Sequence, residues 1–150
     1  MSGNKLICIL QDKTKDNKLF LNLMKEKIQI EQLLKTSPKI LDAKLTTVEG
    51  LSEWFADDVN IRNGKYFFLW DGYEEEAALL SHKANNHIRF KWQTDIDEEL
   101  DTYFELAYSL DPMTQAIMLT ITDFAEAEDK DSSILMWEQQ LQKLRRLIGA

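Results

Sequence analysis

The chain has 150 residues, 44% hydrophobic and 29% charged, with a formal net charge of −8. That is one domain's worth of sequence, long enough to bury a sizeable core. Two Pro and five Gly exclude collagen-like and low-complexity chains, and a single cysteine, Cys8, excludes a disulfide framework or a thiolate zinc site. The acidity argues against binding a phosphate backbone, and no apolar run nears the roughly 18 residues of a spanning helix. An acidic globular domain of the cytoplasm is expected, with no nucleic-acid partner and no membrane span.

Residues 1–23 carry a net +2, so the rest of the chain is at −10. This first segment has a five-residue apolar run, Leu6 to Leu10, too short for a secretory signal, and a polar middle from Gln11 to Lys18. Three readings stay open for it: an edge element, a tail, or a start assigned too early, with Met24 as the true beginning. Residues 1–23 are therefore read as an extension and residues 24–150 as the domain.

Regular patterning begins at Lys27. Ile28 and Ile30 alternate with Gln29 and Glu31, which predicts a half-buried strand over 27–34. Ser37-Pro38 starts a helix, with Ser37 as N-cap and Leu41, Leu45 and Val48 at helical spacing. Thr46-Thr47-Val48-Glu49 matches a capping box and restarts a short helix carrying Leu51, Trp54 and Phe55. Hairpins follow. Val59–Arg62 and Lys65–Trp70 flank Asn63-Gly64, and Asp71-Gly72 turns the chain into a strand from about Glu75 to Lys83. Asn85-Asn86 leads into the period-two strand His87–Trp92, and Asp95 to Asp101 reads as a loop. Two more strands follow, Thr102–Ser109 and Ala116–Asp123. The last element is a long helix with Ile134, Trp137, Leu141, Leu144 and Ile148 on one side. Asp129 and Asp131 lie at its start and Lys143, Arg145 and Arg146 near its end, as the helix dipole favours.

The predicted fold is α+β: a seven-stranded antiparallel sheet wrapped around the C-terminal helix, with two short helices after strand one and strand one beside the last strand. A one-sided meander needs a cover, and the helix stripe supplies it.

This order is similar to the helix-grip arrangement of the START-like (SRPBCC) superfamily. Gly50-Leu51-Ser52-Glu53-Trp54-Phe55 resembles the motif that closes the helical pair in proteins similar to the activator-of-Hsp-ATPase homologues. The string Trp54 to Val59, Phe68 to Gly72 with Glu74 to Ala77, Phe90-Lys91-Trp92, Tyr103-Phe104-Glu105, Thr122 to Glu126 and Trp137 resembles a compact START-like family of Bacteroidetes-type bacteria, over about residues 24 to 149. The resemblance implies a cavity between helix and sheet and no settled activity.

Four Trp on four different elements invite a ligand-cavity reading, against the plainer one that they fill the core. The expected ligand-contacting residues are Trp54, Phe68, Trp70, Phe90, Trp92, Phe104, Tyr108, Leu119, Trp137 and Leu141. Inward positions are nearly all apolar, with Tyr108 and Tyr66 as exceptions, which disfavours an enzyme of the cyclase or hydratase kind. No nucleophile motif, phosphate loop or dinucleotide fingerprint is present, so no catalytic residue is assigned and no cofactor is expected. The acidic runs lack calcium-loop spacing, and His82 and His87 beside the Asn85-Asn86 turn do not make a metal site. The expected function is a non-enzymatic module enclosing a small apolar or amphipathic ligand. The alternative is a co-chaperone-like module whose acidic surface meets a basic protein partner.

Overall fold

A computed structural model describes residues 25–150, and the readings offered for residues 1–23 fall outside them. In chain order the elements are β1 (Lys25–Leu34), α1 (Pro38–Thr46), α2 (Val48–Trp54), β2 (Asp58–Arg62), β3 (Lys65–Trp70), β4 (Tyr73–Lys83) and β5 (His87–Trp92). They continue with α3 (Gln93–Asp97), β6 (Phe104–Leu110), β7 (Ile117–Glu126), a single 3-10 turn (Ala127–Asp129) and α4 (Lys130–Ile148). The seven strands form one antiparallel sheet in the order β1-β7-β6-β5-β4-β3-β2. It is the predicted α+β helix-grip architecture, with α4 against the inner face.

Turn chemistry sets the meander. Asn63 and Gly64 have φ of 52° and 78°, and Asp71 and Gly72 have 47° and 77°. Both pairs have the two left-handed residues that a tight two-residue hairpin needs. Strand alternation then delivers one face to the helix. Register aligns Ile28 with Asp123, Ile30 with Ile121, Leu106 with Ile121, Phe90 with Phe104, and Val59 with Phe68. Phe68, Phe90, Phe104, Ile117, Leu119 and Ile121 are all at most 1% exposed. From α4, Trp137, Leu141 and Leu144 are buried against this layer, and Ile134 and Ile148 are half-buried at its margins. Gly149 closes α4 in the left-handed conformation, and the Ala150 amide donates back to the Arg145 carbonyl.

The helical pair depends on close approach. Ser37 Oγ accepts from the Ile40 amide, and Thr47 Oγ1 accepts from the Gly50 amide. The second helix therefore restarts on Thr47, not on Thr46 as the capping-box spacing suggested. Thr46 donates back to the Asp42 carbonyl instead. Gly50 lies directly on α1: a Cβ there would fall 2.1 Å from the Ala43 carbonyl oxygen. The Trp54 indole N–H donates to the Lys44 carbonyl at 2.8 Å, and Lys44 pairs with Glu53. The Gly-Leu-Ser-Glu-Trp-Phe segment thus closes the pair through a missing side chain at one end and an indole at the other.

Several boundaries differ from expectation. The acidic stretch after β5 is not simply a loop: Gln93–Asp97 forms α3, whose Asp95 accepts from Thr102, and Leu100 is 1% exposed. Lys91 also donates to the Leu100 carbonyl, which fixes this corner. Strand β1 begins at Lys25 and β4 at Tyr73, β6 runs over Phe104–Leu110 rather than Thr102–Ser109, and β7 continues to Glu126. Strands β4 and β7 run past the acidic residues that interrupt their apolar alternation, because pairing continues as long as the neighbour is present.

Candidate functional site: an aromatic cleft at the mouth of the grip

The centre of the grip is filled by side chains. At the end marked by the β3–β4 turn the packing opens into a cleft of about 310 Å³ between α4 and the sheet. Trp70 ends β3, Tyr73 and Glu75 begin β4, Trp92 ends β5 and Asp123 lies on β7. Phe55 follows α2, and Ser133, Met136, Trp137 and Gln140 come from the first half of α4.

The aromatic residues hold one another in place. Phe55 stacks on Trp137 at 5.3 Å and meets Trp70 edge-on at 5.4 Å. Trp92 stacks on Phe104 at 4.7 Å and is tilted against Trp70 at 5.9 Å. Such pairs add to burial and lock ring orientation. The indole N–H groups of Trp70 and Trp137 are already used: Trp70 donates to the Phe55 carbonyl at 2.9 Å and Trp137 to Asp123 Oδ2 at 2.8 Å. What these two residues offer the cleft is ring surface rather than a donor. Gln140 also donates to the Phe55 carbonyl, and so ties α4 to the chain end of α2.

Two carboxylates stand on the inner face at this end. Register places Glu75 opposite Phe68 and Asp123 opposite Ile28, both inward positions. Asp123 accepts from the Phe124 amide as well as from Trp137. Burial pushes its carboxyl up to about 6, with Asp95 adding a smaller push, against the opposing pull of those two hydrogen bonds and of Lys25. A perturbed acid in a cleft marks a candidate site. Glu75 accepts from the Tyr73 hydroxyl.

The raised acid has a consequence for stability. The folded chain holds the Asp123 proton more tightly than the unfolded chain, whose carboxyl titrates at 3.8. Its contribution therefore favours folding at low pH and is withdrawn as pH rises from the unfolded value through about 6. In Asp123→Asn this component is absent. Urea denaturation across the pH range is expected to show the variant gaining about 2 kcal/mol on the parent between pH 4 and pH 8, whatever the fixed effect of the amide. A difference that stays constant with pH would contradict the assignment.

The ten residues expected to contact a ligand separate into groups. Trp70, Trp92 and Trp137 come together on the cleft walls. Phe68, Phe90, Phe104, Leu119 and Leu141 sit in the packed core, none more than 2% exposed, and do not line the cleft. Trp54, at 1%, serves the helical pair and touches an adjoining groove of about 380 Å³ that also borders Phe55 and Trp70. Tyr108 lies at the other end of the inner face. Its hydroxyl is within 3.1 Å of Asp42 Oδ1 and of Asn85 Oδ1, linking α1 to the β4–β5 turn. Burial and the neighbouring Asp42 push the Tyr108 hydroxyl up to about 12, so it stays protonated. His82 and His87 do not converge: they alternate to opposite faces of the hairpin, and His87 bonds Ser81 and Asn86.

Residues 23–150 match the START-like superfamily domain. The chain belongs to the START-like superfamily. A solution structure of a Bacteroides fragilis protein is 34% identical to it, covering 83% of this chain and 91% of that one with a TM-score of 0.58. The Aha1 dimer of Colwellia psychrerythraea, at 17% identity, matches 82% of this chain and 96% of its own with a TM-score of 0.68. An uncharacterized Bacillus thuringiensis protein reaches 0.69 at 8% identity over 83% of this chain and all of its own. The last two show the fold alone. No functionally curated protein matches the chain.

The site residues that sequence reasoning missed are Phe55, Tyr73, Glu75, Asp123, Ser133, Met136 and Gln140. For Glu75 and Asp123 a signal existed. Carrying the inward phase of Ile117, Leu119 and Ile121 two residues further reaches Asp123, and carrying Ala77 back two reaches Glu75. Among the described residues no helix is long and apolar enough to cross a membrane.

Proposed function

We propose that this START-like chain is a binding module that takes a small amphipathic molecule into the cleft between α4 and the sheet. The observation that carries this is a half-lined space: three Trp and Phe55 present apolar walls while Asp123, Glu75, Ser133 and Gln140 supply polar groups at the same place. A largely apolar concavity with a few convergent polar groups is the general form of a ligand site, and about 310 Å³ lies at the small end of the usual range. The ligand is therefore small, or only part of it enters.

The rival reading, an acidic surface for a basic protein, receives less support. The Glu74-Glu75-Glu76 run on β4 is largely answered from within: Arg62 pairs with Glu74 at 2.7 Å, Lys65 with Glu76 at 3.6 Å, and Tyr73 donates to Glu75.

Native mass spectrometry of freshly expressed protein is expected to show a co-purified small molecule, lost in Trp92→Ala while the variant keeps a cooperative melting transition. A chain that carries no adduct, and whose tryptophan fluorescence is unmoved by a panel of small apolar and amphipathic compounds, would overturn the proposal.

A further inference from the structure

The polar groups at the cleft are of one sign. Among the described residues its lining holds two carboxylates, Asp123 and Glu75, and no Lys, Arg or His. Of the charged side chains that act on Asp123, Asp95 on α3 raises its carboxyl and Lys25 at the start of β1 lowers it. An apolar anion brought here would meet two carboxylates and no cationic partner. A neutral molecule would leave the ionised Asp123 half-desolvated with only its Trp137 and Phe124 hydrogen bonds.

The aromatic walls favour the same choice. Trp70 and Trp137 have their N–H groups turned to internal acceptors, and each stacks one ring face on a Phe, Trp70 on Phe68 and Trp137 on Phe55, so that ring surface rather than a donor is what they present. Phe55 and Trp92 complete the walls, and Tyr73 stands at the rim, 60% exposed. Rings of this kind attract a cation over their faces, most strongly where water is partly excluded. Within this chain the same chemistry recurs: the Arg89 guanidinium lies 4.0 Å from the centre of the Tyr103 ring, and Arg62 lies 3.8 Å from that of Phe67. Those arginines are satisfied by Glu105 and Glu74. Glu75 and Asp123 have no cationic side chain in an ion pair among the described residues, so the cleft has the rings and the counter-charges without the cation.

We infer that the cleft is selective for an organic ammonium ion, whose charged head sits among Trp70, Trp92 and Trp137 beside Asp123 and Glu75. This deepens the binding-module reading and rests on it: the class of ligand is an amine or quaternary ammonium carrying an apolar part, rather than a fatty acid or a neutral lipid. No bond is made or broken.

Three probes that share a benzene ring separate the possibilities: benzyltrimethylammonium, benzyl alcohol and phenylacetate. They are titrated at pH 8, where Asp123 is ionised, into nitrogen-15-labelled full-length protein, and the Trp indole signals are followed. The cation is expected to shift the Trp70, Trp92 and Trp137 signals and to bind at least about tenfold more tightly than the alcohol, with phenylacetate weaker still. Glu75→Gln and Asp123→Asn are each expected to weaken the cation several-fold without weakening the alcohol, so that the preference for the cation shrinks. Both variants keep the size of the side chain, and the parent's selectivity is a test that needs neither of them. Equal binding of cation and alcohol, or tighter binding of phenylacetate, would overturn the inference while leaving a ligand-binding cleft in place. If none of the three moves the indole signals, the inference and the binding-module reading fall together.

Discussion

Gly50→Ala is expected to destabilise the chain by about 3 kcal/mol or more, although alanine is the better helix former by about 1 kcal/mol. The sign reverses because of where the new methyl goes. It would stand 2.1 Å from the Ala43 carbonyl oxygen and 2.7 Å from the Lys44 Cα, both backbone atoms of α1 that cannot swing aside. The helices must separate. Separation pulls Trp54 from the Lys44 carbonyl it bonds at 2.8 Å, so cap, indole and helix contact fail together. Urea denaturation measures this as a fall in midpoint at unchanged slope, and melting should drop by roughly 10 °C or more. A variant as stable as the parent would mean that α1 and α2 do not approach this closely in solution.

Phe55→Ala is the second large effect, expected at about 3–5 kcal/mol. Phe55 is 3% exposed and its ring lies within 5.2 to 5.7 Å of those of Trp54, Phe68, Trp70, Phe104 and Trp137. It is the joint between the helical pair, the sheet and α4. Its carbonyl, which holds Trp70 and Gln140, survives the substitution, so the cleft walls keep their anchor while the ring between them disappears. The ring borders both the cleft and the neighbouring groove, and its removal joins the two spaces. A small apolar molecule such as benzene should then restore part of the lost stability by taking the place of the missing ring between Trp70, Phe104 and Trp137. Loss of under about 1 kcal/mol, measured by chemical denaturation, would show that the aromatic cluster repacks and that Phe55 is not the joint.

The elements that the sequence pattern made legible are those whose signal is local. The hairpins carry Asn63-Gly64 and Asp71-Gly72, whose positive φ values demand those residue types. The α4 stripe needs only a period near 3.6 to identify Trp137, Leu141 and Leu144 as buried. Helix α3 escaped notice because five residues with no buried member offer no periodicity to read. Thr47 displaced Thr46 as the cap because the choice is made by Gly50 fitting against α1, a contact between segments.

The cleft was legible only in part for a similar reason. Alternation says that Phe90 and Trp92 face the same way, and they do. It does not say how far α4 reaches, and that reach separates a buried Phe90 from a Trp92 on an open wall. Glu75 lies in an acidic run and Asp123 at the predicted end of a strand, places where a carboxylate is ordinarily solvated. Register turned them inward.

By itself, then, the sequence determined the seven strands, their antiparallel order, the helical pair and the covering helix, because turn chemistry and hydrophobic period act over a few residues at a time. The tertiary structure alone decided where the grip is filled and where it is open, and that two carboxylates share the opening with three tryptophans. Those outcomes depend on how far strands and a helix from distant parts of the chain overlap, a quantity that no local pattern encodes.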